Sequence, residues 1–375
     1  MLPYGRQWID EQDIAAVVEV LNSDWITTGA KVDEFEKDLC TYLGTDHAVA
    51  VNSGTSALDI AVQSLDIPPC SEIITSPFTF VATSNSILYN NCKPVFADIE
   101  GDTRNINPEE IRKKITEKTK AIIYVDYAGH PCEIKEMQEI AEENDLFLIE
   151  DACHALGAEY HGRRIGSFAD MTVFSFHPVK HITTGEGGAV TTNNDKFYEK
   201  LKMLRNHGID KPASDRHGSR RGWGYDMKYL GRNYRITDFQ CALGISQLKK
   251  LDDFIKTRRH IARTYTELLD TVDFIELPHT RENVKHAWHL YTILLEEDRN
   301  NFFKSMRKRN VGVNIHYIPT YRFSYYQKHF NINPKEFPIT EEVFNKIITL
   351  PLFPKMTDSD ILAVVDAINI LGDLR

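Results

Sequence analysis

Lys180 sits between an apolar run, Thr172-Val173-Phe174-Ser175-Phe176, and a glycine-rich turn, Gly185-Glu186-Gly187-Gly188. A lysine sheltered from water in this way has a lowered pKa and can act as an amine nucleophile. Taken alone, such a lysine is more often a surface residue, by roughly ten to one. Two other segments change that weighting. Leu148-Ile149-Glu150-Asp151-Ala152-Cys153-His154 ends an apolar run in acidic residues, and ligands gather at the carboxyl ends of strands in parallel sheets. Asp151 there can pair with a protonated heteroaromatic nitrogen; as a plain helix cap it has about even odds. Val51-Asn52-Ser53-Gly54-Thr55-Ser56-Ala57-Leu58 reads as a strand, a small-residue turn and a helix start. Free N–H groups and hydroxyls at a helix N-terminus form an anion site, although simple capping gives the same pattern. Phosphate cradle, carboxylate and lysine together are the protein groups that pyridoxal phosphate needs: anchor, pyridinium partner and Schiff-base lysine. The combination is far more specific than any of its parts.

Other chemistries find less support. No Walker A and no G-x-G-x-x-G pattern occurs, so a P-loop or dinucleotide site is not indicated. His177 and His181 are spaced like metal ligands, as are His286 and His289. The first pair flanks Pro178 in an expected loop. The second leads into Leu290-Tyr291-Thr292-Ile293-Leu294, where residues three apart on a strand would face opposite ways. A metal site is therefore given roughly one chance in twenty, and none is expected.

The elements that must position these residues follow from hydrophobic periodicity. Short β-rich runs occur at 48–51, 73–75, 94–97, 121–125, 146–149, 172–176 and 189–192. They do not alternate, as expected of strands covered on both faces. Apolar stripes at 55–65 and 134–144 predict helices between them, which gives an α/β fold with a mostly parallel, seven-stranded sheet. A helix is expected over 195–205, and another over 237–269, broken near Lys250. The polar stretch 208–224 holds Arg216, Arg220 and Arg221 and reads as a loop; a loop this long is usually functional. The remainder reads as a smaller C-terminal α/β lobe.

Composition bounds the rest. The 375 residues are 42% hydrophobic and 26% charged, an ordinary globular balance. A net charge of −10 argues against a nucleic-acid binder. Six scattered cysteines without C-x-x-C spacing read as free thiols in a reducing compartment. With no secretory h-region and no long apolar span, the expected location is cytoplasmic, away from membranes.

The chain resembles the nucleotide-sugar aminotransferases of the DegT/DnrJ/EryC/StrS family, from Trp25-Ile26-Thr27-Thr28-Gly29 to His316-Tyr317-Ile318-Pro319. The resemblance implies a pyridoxal 5′-phosphate enzyme of fold type I, like aspartate aminotransferase, with a mixed seven-stranded central sheet. It implies a large cofactor-binding domain over 1–245, including the N-terminal segment, and a small domain over 246–375. Lys180 matches the family's cofactor lysine, Asp151 the partner of the pyridine nitrogen, His154 a residue touching the ring, and Phe80 the stacking aromatic. Thr55, Ser56 and Ser175 match phosphate ligands. Asn233, in Gly231-Arg232-Asn233-Tyr234-Arg235, matches an asparagine that reaches the neighbouring subunit's phosphate, which implies a homodimer with active sites at the interface. Tyr4, Thr28, His177, Arg232 and Tyr317 are expected to bind substrate.

The run Ile182-Thr183-Thr184-Gly185-Glu186-Gly187-Gly188 resembles the branch that aminates C4 of the sugar. Ser175-Phe176-His177-Pro178-Val179-Lys180 is similar to the pseudaminic acid enzymes within it. His181 and Gly185 depart from that branch, which more often has proline and alanine there. The expected reaction moves the amino group of L-glutamate to C4 of a 4-keto-6-deoxy nucleotide sugar. UDP-2-acetamido-2,6-dideoxy-4-hexulose is the first candidate. Alternatives are a GDP- or dTDP-linked sugar, or a regulatory protein that keeps the fold without catalysis. A sugar dehydratase is disfavoured, because that relative has histidine in place of the lysine.

Overall fold

Each apolar run of the first half forms a strand of one sheet. The computed structural model describes residues 1–211, 224–296 and 298–373. In chain order come β1 (His47–Val51), β2 (Glu72–Thr75), β3 (Lys93–Phe96), β4 (Thr119–Val125) and β5 (Phe147–Asp151). A short hairpin follows, β6 (Glu159–Tyr160) and β7 (Arg163–Arg164), and then β8 (Met171–Ser175) and β9 (Gly188–Thr192). The central sheet has the seven strands that the sequence predicts, in the order β1-β9-β8-β5-β4-β2-β3. Pairing is parallel from β8 across to β3. β9 runs antiparallel to both β8 and β1. The sheet is mixed because a loop, residues 176–187, rather than a crossover helix joins β8 to β9, so the chain has to reverse. That loop carries Lys180.

Helices cover both faces, so strand residues are buried whichever way they point. On one face, the helices Gly54–Ser64 and Asp195–Arg205 pack Ala57, Leu58, Ala61, Leu201 and Leu204 against Val49, Ile149 and Val173. On the other, the helices Ala30–Leu43 and Ile134–Asn144 pack Phe35, Leu39, Met137 and Ile140 against Ala50, Tyr124 and Leu148. Alternation along β5 therefore sends Asp151 to the face of Ile149 and Glu150 to the face of Leu148.

A second core lies around β10 (Ile275–Glu276), β12 (Tyr291–Leu295) and β13 (Ile347–Leu350), which form an antiparallel sheet. Between them in sequence, β11 (Val284–Lys285) pairs with β6 instead. The expected break near Lys250 is found: the helix Asp238–Leu248 ends and the helix Leu251–Leu269 begins. Ile255 belongs to the large core and Ile261 to the second, so this long helix joins the two. The N-terminus reaches the second core, where Leu2 bridges Val311 and Leu352 N–H donates to Tyr4 O (3.0 Å). Residues 286–289 were expected to lead straight into a strand. They do lead into β12, but the histidines themselves lie in an irregular turn rather than on strand, with Trp288 at φ 51° and stacked on His286 at 3.9 Å. Among the described residues no helix is long and apolar enough to cross a membrane.

Candidate active site

The carboxyl ends of β1, β4, β5 and β8 open onto one cavity of about 650 Å³. Each strand end delivers a different chemistry. After β1, Ser53 caps the helix Gly54–Ser64: its Oγ accepts from Ser56 N–H (3.0 Å), and its carbonyl accepts from Ala57 N–H. The N–H groups of Gly54 and Thr55 then have no acceptor among the described residues, and both residues line the cavity. Such a helix start attracts an anion through aligned N–H groups and the helix dipole. Glycine is required at 54 because a Cβ there would lie 2.9 Å from Ser175 Cβ and 3.3 Å from Cys153 Sγ. That close approach brings Ser175, at the end of β8, beside Thr55.

Asp151, at the end of β5, is buried on the cavity floor. Thr83 Oγ1 donates to its Oδ2 (2.7 Å), and Cys153 N–H donates to its Oδ1 (3.3 Å). Thr83 is paired in turn with Thr79 (3.1 Å). His154 lies in the turn after Asp151. Its Nε2 is 3.0 Å from Tyr317 Oη, and its Nδ1 is buried without a partner among the described residues. Burial, then the nearby Lys180 charge, holds His154 well below the usual histidine range, so the ring is neutral.

Lys180 reaches the same cavity from the β8–β9 loop. Its N–H is held by His177 O (2.9 Å), which fixes the turn. Burial lowers its pKa, the charge of Arg258 acts in the same direction, and Cys153 and Asp151 oppose them. Arg258 is itself fully buried and donates to the carbonyls of Trp288, His289 and Leu352 at 3.2–3.4 Å. The outer wall comes from Phe80, His177, Tyr4 and residues 314–318, including Tyr317. The Phe80 ring stands 6.2 Å from that of Tyr317.

Of the residues singled out in the sequence, Tyr4, Thr55, Phe80, Asp151, His154, Ser175, His177, Lys180 and Tyr317 share this cavity. Ser56 does not line it, since its hydroxyl is used inside the turn, donating to Asn52 Oδ1 (2.6 Å). Ser53 lines the cavity instead. Thr28 also lies away from it, with its hydroxyl on Thr27 O (2.7 Å). Arg232 is turned to buried Asp59 (3.4 Å), and Asn233 is exposed on the surface. Arg216, Arg220 and Arg221 fall outside the described residues. His177 stands at the mouth while His181 is buried on Ala287 O (3.1 Å), so they do not face one ligand. Among the described residues no three metal-ligating side chains converge. The sequence did not point to Thr83; a threonine four residues past Thr79 at a helix start was the signal available.

Comparison with known proteins places this geometry. An uncharacterised protein of Methanocaldococcus jannaschii is 45% identical over 98% of this chain and 97% of its own. The UDP-4-amino-4,6-dideoxy-N-acetyl-beta-L-altrosamine transaminase of Campylobacter jejuni is 42% identical over 88% of this chain and 86% of its own. Helicobacter pylori PseC, an aminotransferase of pseudoaminic acid biosynthesis, superposes with TM-score 0.93 at 34% identity, each chain covered in full. Spr1654 of Streptococcus pneumoniae in its PMP form gives TM-score 0.94 at 30% identity, covering 100% of this chain and 99% of that one. Residues 7–369 match one sequence family throughout. The chain belongs to the DegT/DnrJ/EryC1/StrS aminotransferase family, whose enzymes depend on pyridoxal phosphate.

Proposed function

We propose that this chain transfers the amino group of L-glutamate to C4 of a 4-keto-6-deoxy nucleotide sugar, with UDP-2-acetamido-2,6-dideoxy-4-hexulose as the substrate. The observation that carries the reading is the convergence of Lys180, Asp151 and the start of the Gly54–Ser64 helix on one cavity. These residues fit pyridoxal phosphate: two unpaired N–H groups beside the Thr55 and Ser175 hydroxyls for a dianion, a buried carboxylate for a pyridinium, and an amine between them. The 42% identity to an enzyme named for a UDP-linked amino sugar supports the choice of sugar.

In this reading Gly54, Thr55 and Ser175 hold the phosphate, Asp151 the ring nitrogen, Phe80 a ring face, and Lys180 the aldehyde carbon. When bound, the cofactor supplies an electron sink that acidifies the α-C–H of the amino donor. Lys180 Nζ would accept that proton and deliver it to the cofactor carbon on the far side of the transferred nitrogen, and would run the same transfer in reverse on the keto sugar. Its lowered pKa raises the share of neutral amine over that of a free lysine. The hydrogen bond from Thr83 keeps Asp151 aimed into the cavity as an acceptor. Tyr4, His177 and Tyr317 bind the sugar and nucleotide in the outer half.

Thr28, Arg232 and Asn233 serve the cavity of a second copy. Exposed apolar side chains precede them in sequence, Trp25 and Ile26 before Thr28, and Met227 and Leu230 (72% exposed) before Arg232. An apolar surface of this kind favours a covering partner. The test is an absorbance titration of the cofactor-loaded protein. L-glutamate should remove the band of the lysine-bound cofactor, and the UDP-linked keto sugar should restore it. Loss without return would overturn the sugar; no band at all would overturn the enzyme.

A further inference from the structure

Glu150 and Asp151 are neighbours in sequence but face opposite sides of β5. Glu150 is fully buried, with Tyr124 of β4 and Thr172 of β8 directly beside it in register. Asp126, also fully buried, stands one residue past β4, where its N–H donates to Asp151 O (3.2 Å). Two of the five polar side-chain atoms of the trio Glu150, Asp126 and Tyr124 are satisfied. Thr172 Oγ1 donates to Glu150 Oε2 (2.8 Å), and Cys132 N–H donates to Asp126 Oδ1 (2.9 Å). Glu150 Oε1, Asp126 Oδ2 and Tyr124 Oη have no partner among the described residues and no access to water.

The donors do not suffice as long as both carboxyls are ionised. One phenol hydrogen faces two acceptor oxygens, and an orphaned buried polar group is destabilising. The titratable groups that bear on the pair are Tyr124, Cys132 and, through the sheet, Asp151; no cation is among them. Two like charges at such a site do not both persist. Burial pushes both carboxyls up, and for Asp126 the charge of Glu150 adds to it. One extra proton closes the cluster.

We propose that Asp126 and Glu150 share a single proton beside the Tyr124 hydroxyl, and that the one negative charge they retain is a positioning device behind Asp151, keeping its partner nitrogen protonated. The second half rests on the cofactor reading above; the first half does not. The charge lies on the far face of the same strand as Asp151, and the Asp126 N–H ties the two together through the Asp151 carbonyl. Its field adds to that of Asp151 at the nitrogen.

The experiment has two arms. Infrared spectra of the cofactor-free protein at neutral pH should show the C=O stretch of a buried protonated carboxyl. Asp126→Asn and Glu150→Gln should each abolish it, because an amide brings its own donors. Absence of the band in the unsubstituted protein, or its survival in both variants, would overturn the shared proton, and the first of these measurements needs no variant to fold. In the second arm, pH titrations of cofactor absorbance are compared. Each single variant keeps one charge and should titrate like the unsubstituted protein. The double variant Asp126→Asn/Glu150→Gln carries none and should shift the midpoint of the ring nitrogen down by about one pH unit. An unshifted double variant would overturn the positioning role. If Asp151→Asn leaves the absorbance profile unmoved as well, the cofactor reading fails instead, and the infrared result stands on its own.

Discussion

Tyr317 Oη lies 3.0 Å from His154 Nε2, with the two rings nearly parallel. This contact ties the turn after β5 to the outer wall of the cavity. It is the one hydrogen bond of His154's side chain among the described residues. Tyr317→Phe should therefore fold but leave both imidazole nitrogens unpaired. The dissociation constant of the cofactor, followed by its absorbance, should rise about tenfold, or about 1.4 kcal/mol. An unchanged constant would remove His154 from the cofactor's surroundings.

Lys180→Ala and Lys180→Arg should both fold, as judged by circular dichroism. Each should lose at least about a thousandfold in kcat, since the group that moves the proton is gone or stays charged. Near-normal turnover in either would sink the assignment.

Gly54→Ala tests the anion site without touching a charge. The new Cβ would press on Ser175 and Cys153 and push the helix start away from β8. Weaker protection of the folded protein by added cofactor in thermal melts is expected, with turnover restored in part by excess cofactor. Equal protection of both proteins would place the phosphate elsewhere.

The pH dependence of stability has a definite sign. Burial holds His130, His154, His181, His286, His289 and His316 neutral, His130 at about 4 and His316 at about 3. In the unfolded chain they titrate near 6.5. Below that pH the unfolded chain binds more protons, so stability is full above about 6.5 and falls as the solution is acidified. His130 alone accounts for about 3 kcal/mol by pH 4. Melting temperatures measured from pH 8 to pH 5 should drop steeply below 6.5, and a flat profile would contradict the burial of these rings.

Asn233 can be tested in trans. Lys180→Ala and Asn233→Ala should each be inactive, yet mixing and reassembling them should restore activity. Half of random dimers are mixed, and each mixed dimer has one site with both residues intact, so about a quarter of normal turnover is expected. No recovery, with subunit exchange verified, would confine each site to one chain.

Much of this site was legible because strand ends announce themselves. The runs ending at Val51, Ile149 and Phe176 are short, apolar and followed by polar or small residues, and a parallel sheet brings such ends together. What the sequence hid is what depends on distant partners. Thr83 meets Asp151 only after folding, and so does Tyr317 with His154. The fate of the Ser56 hydroxyl was decided by Asn52, a local competitor that no periodicity reveals. The 286–289 turn escaped because Trp288 adopts a left-handed backbone that its residue type does not signal.

The reversal of β9 bears on how the protein is made. β9 is inserted between β1 and β8, so its ladder joins His47 to Thr192 across much of the chain. Pairings this distant in sequence form late, because the intervening chain must first give up its freedom. A nascent chain that ends before Gly188 already contains Asp151 and the Gly54–Ser64 helix, but nothing yet anchors the far side of the lysine loop. Cofactor capture on the ribosome therefore has to wait for β9, and a fragment truncated there would hold two of the three chemical groups with no fixed place for the third.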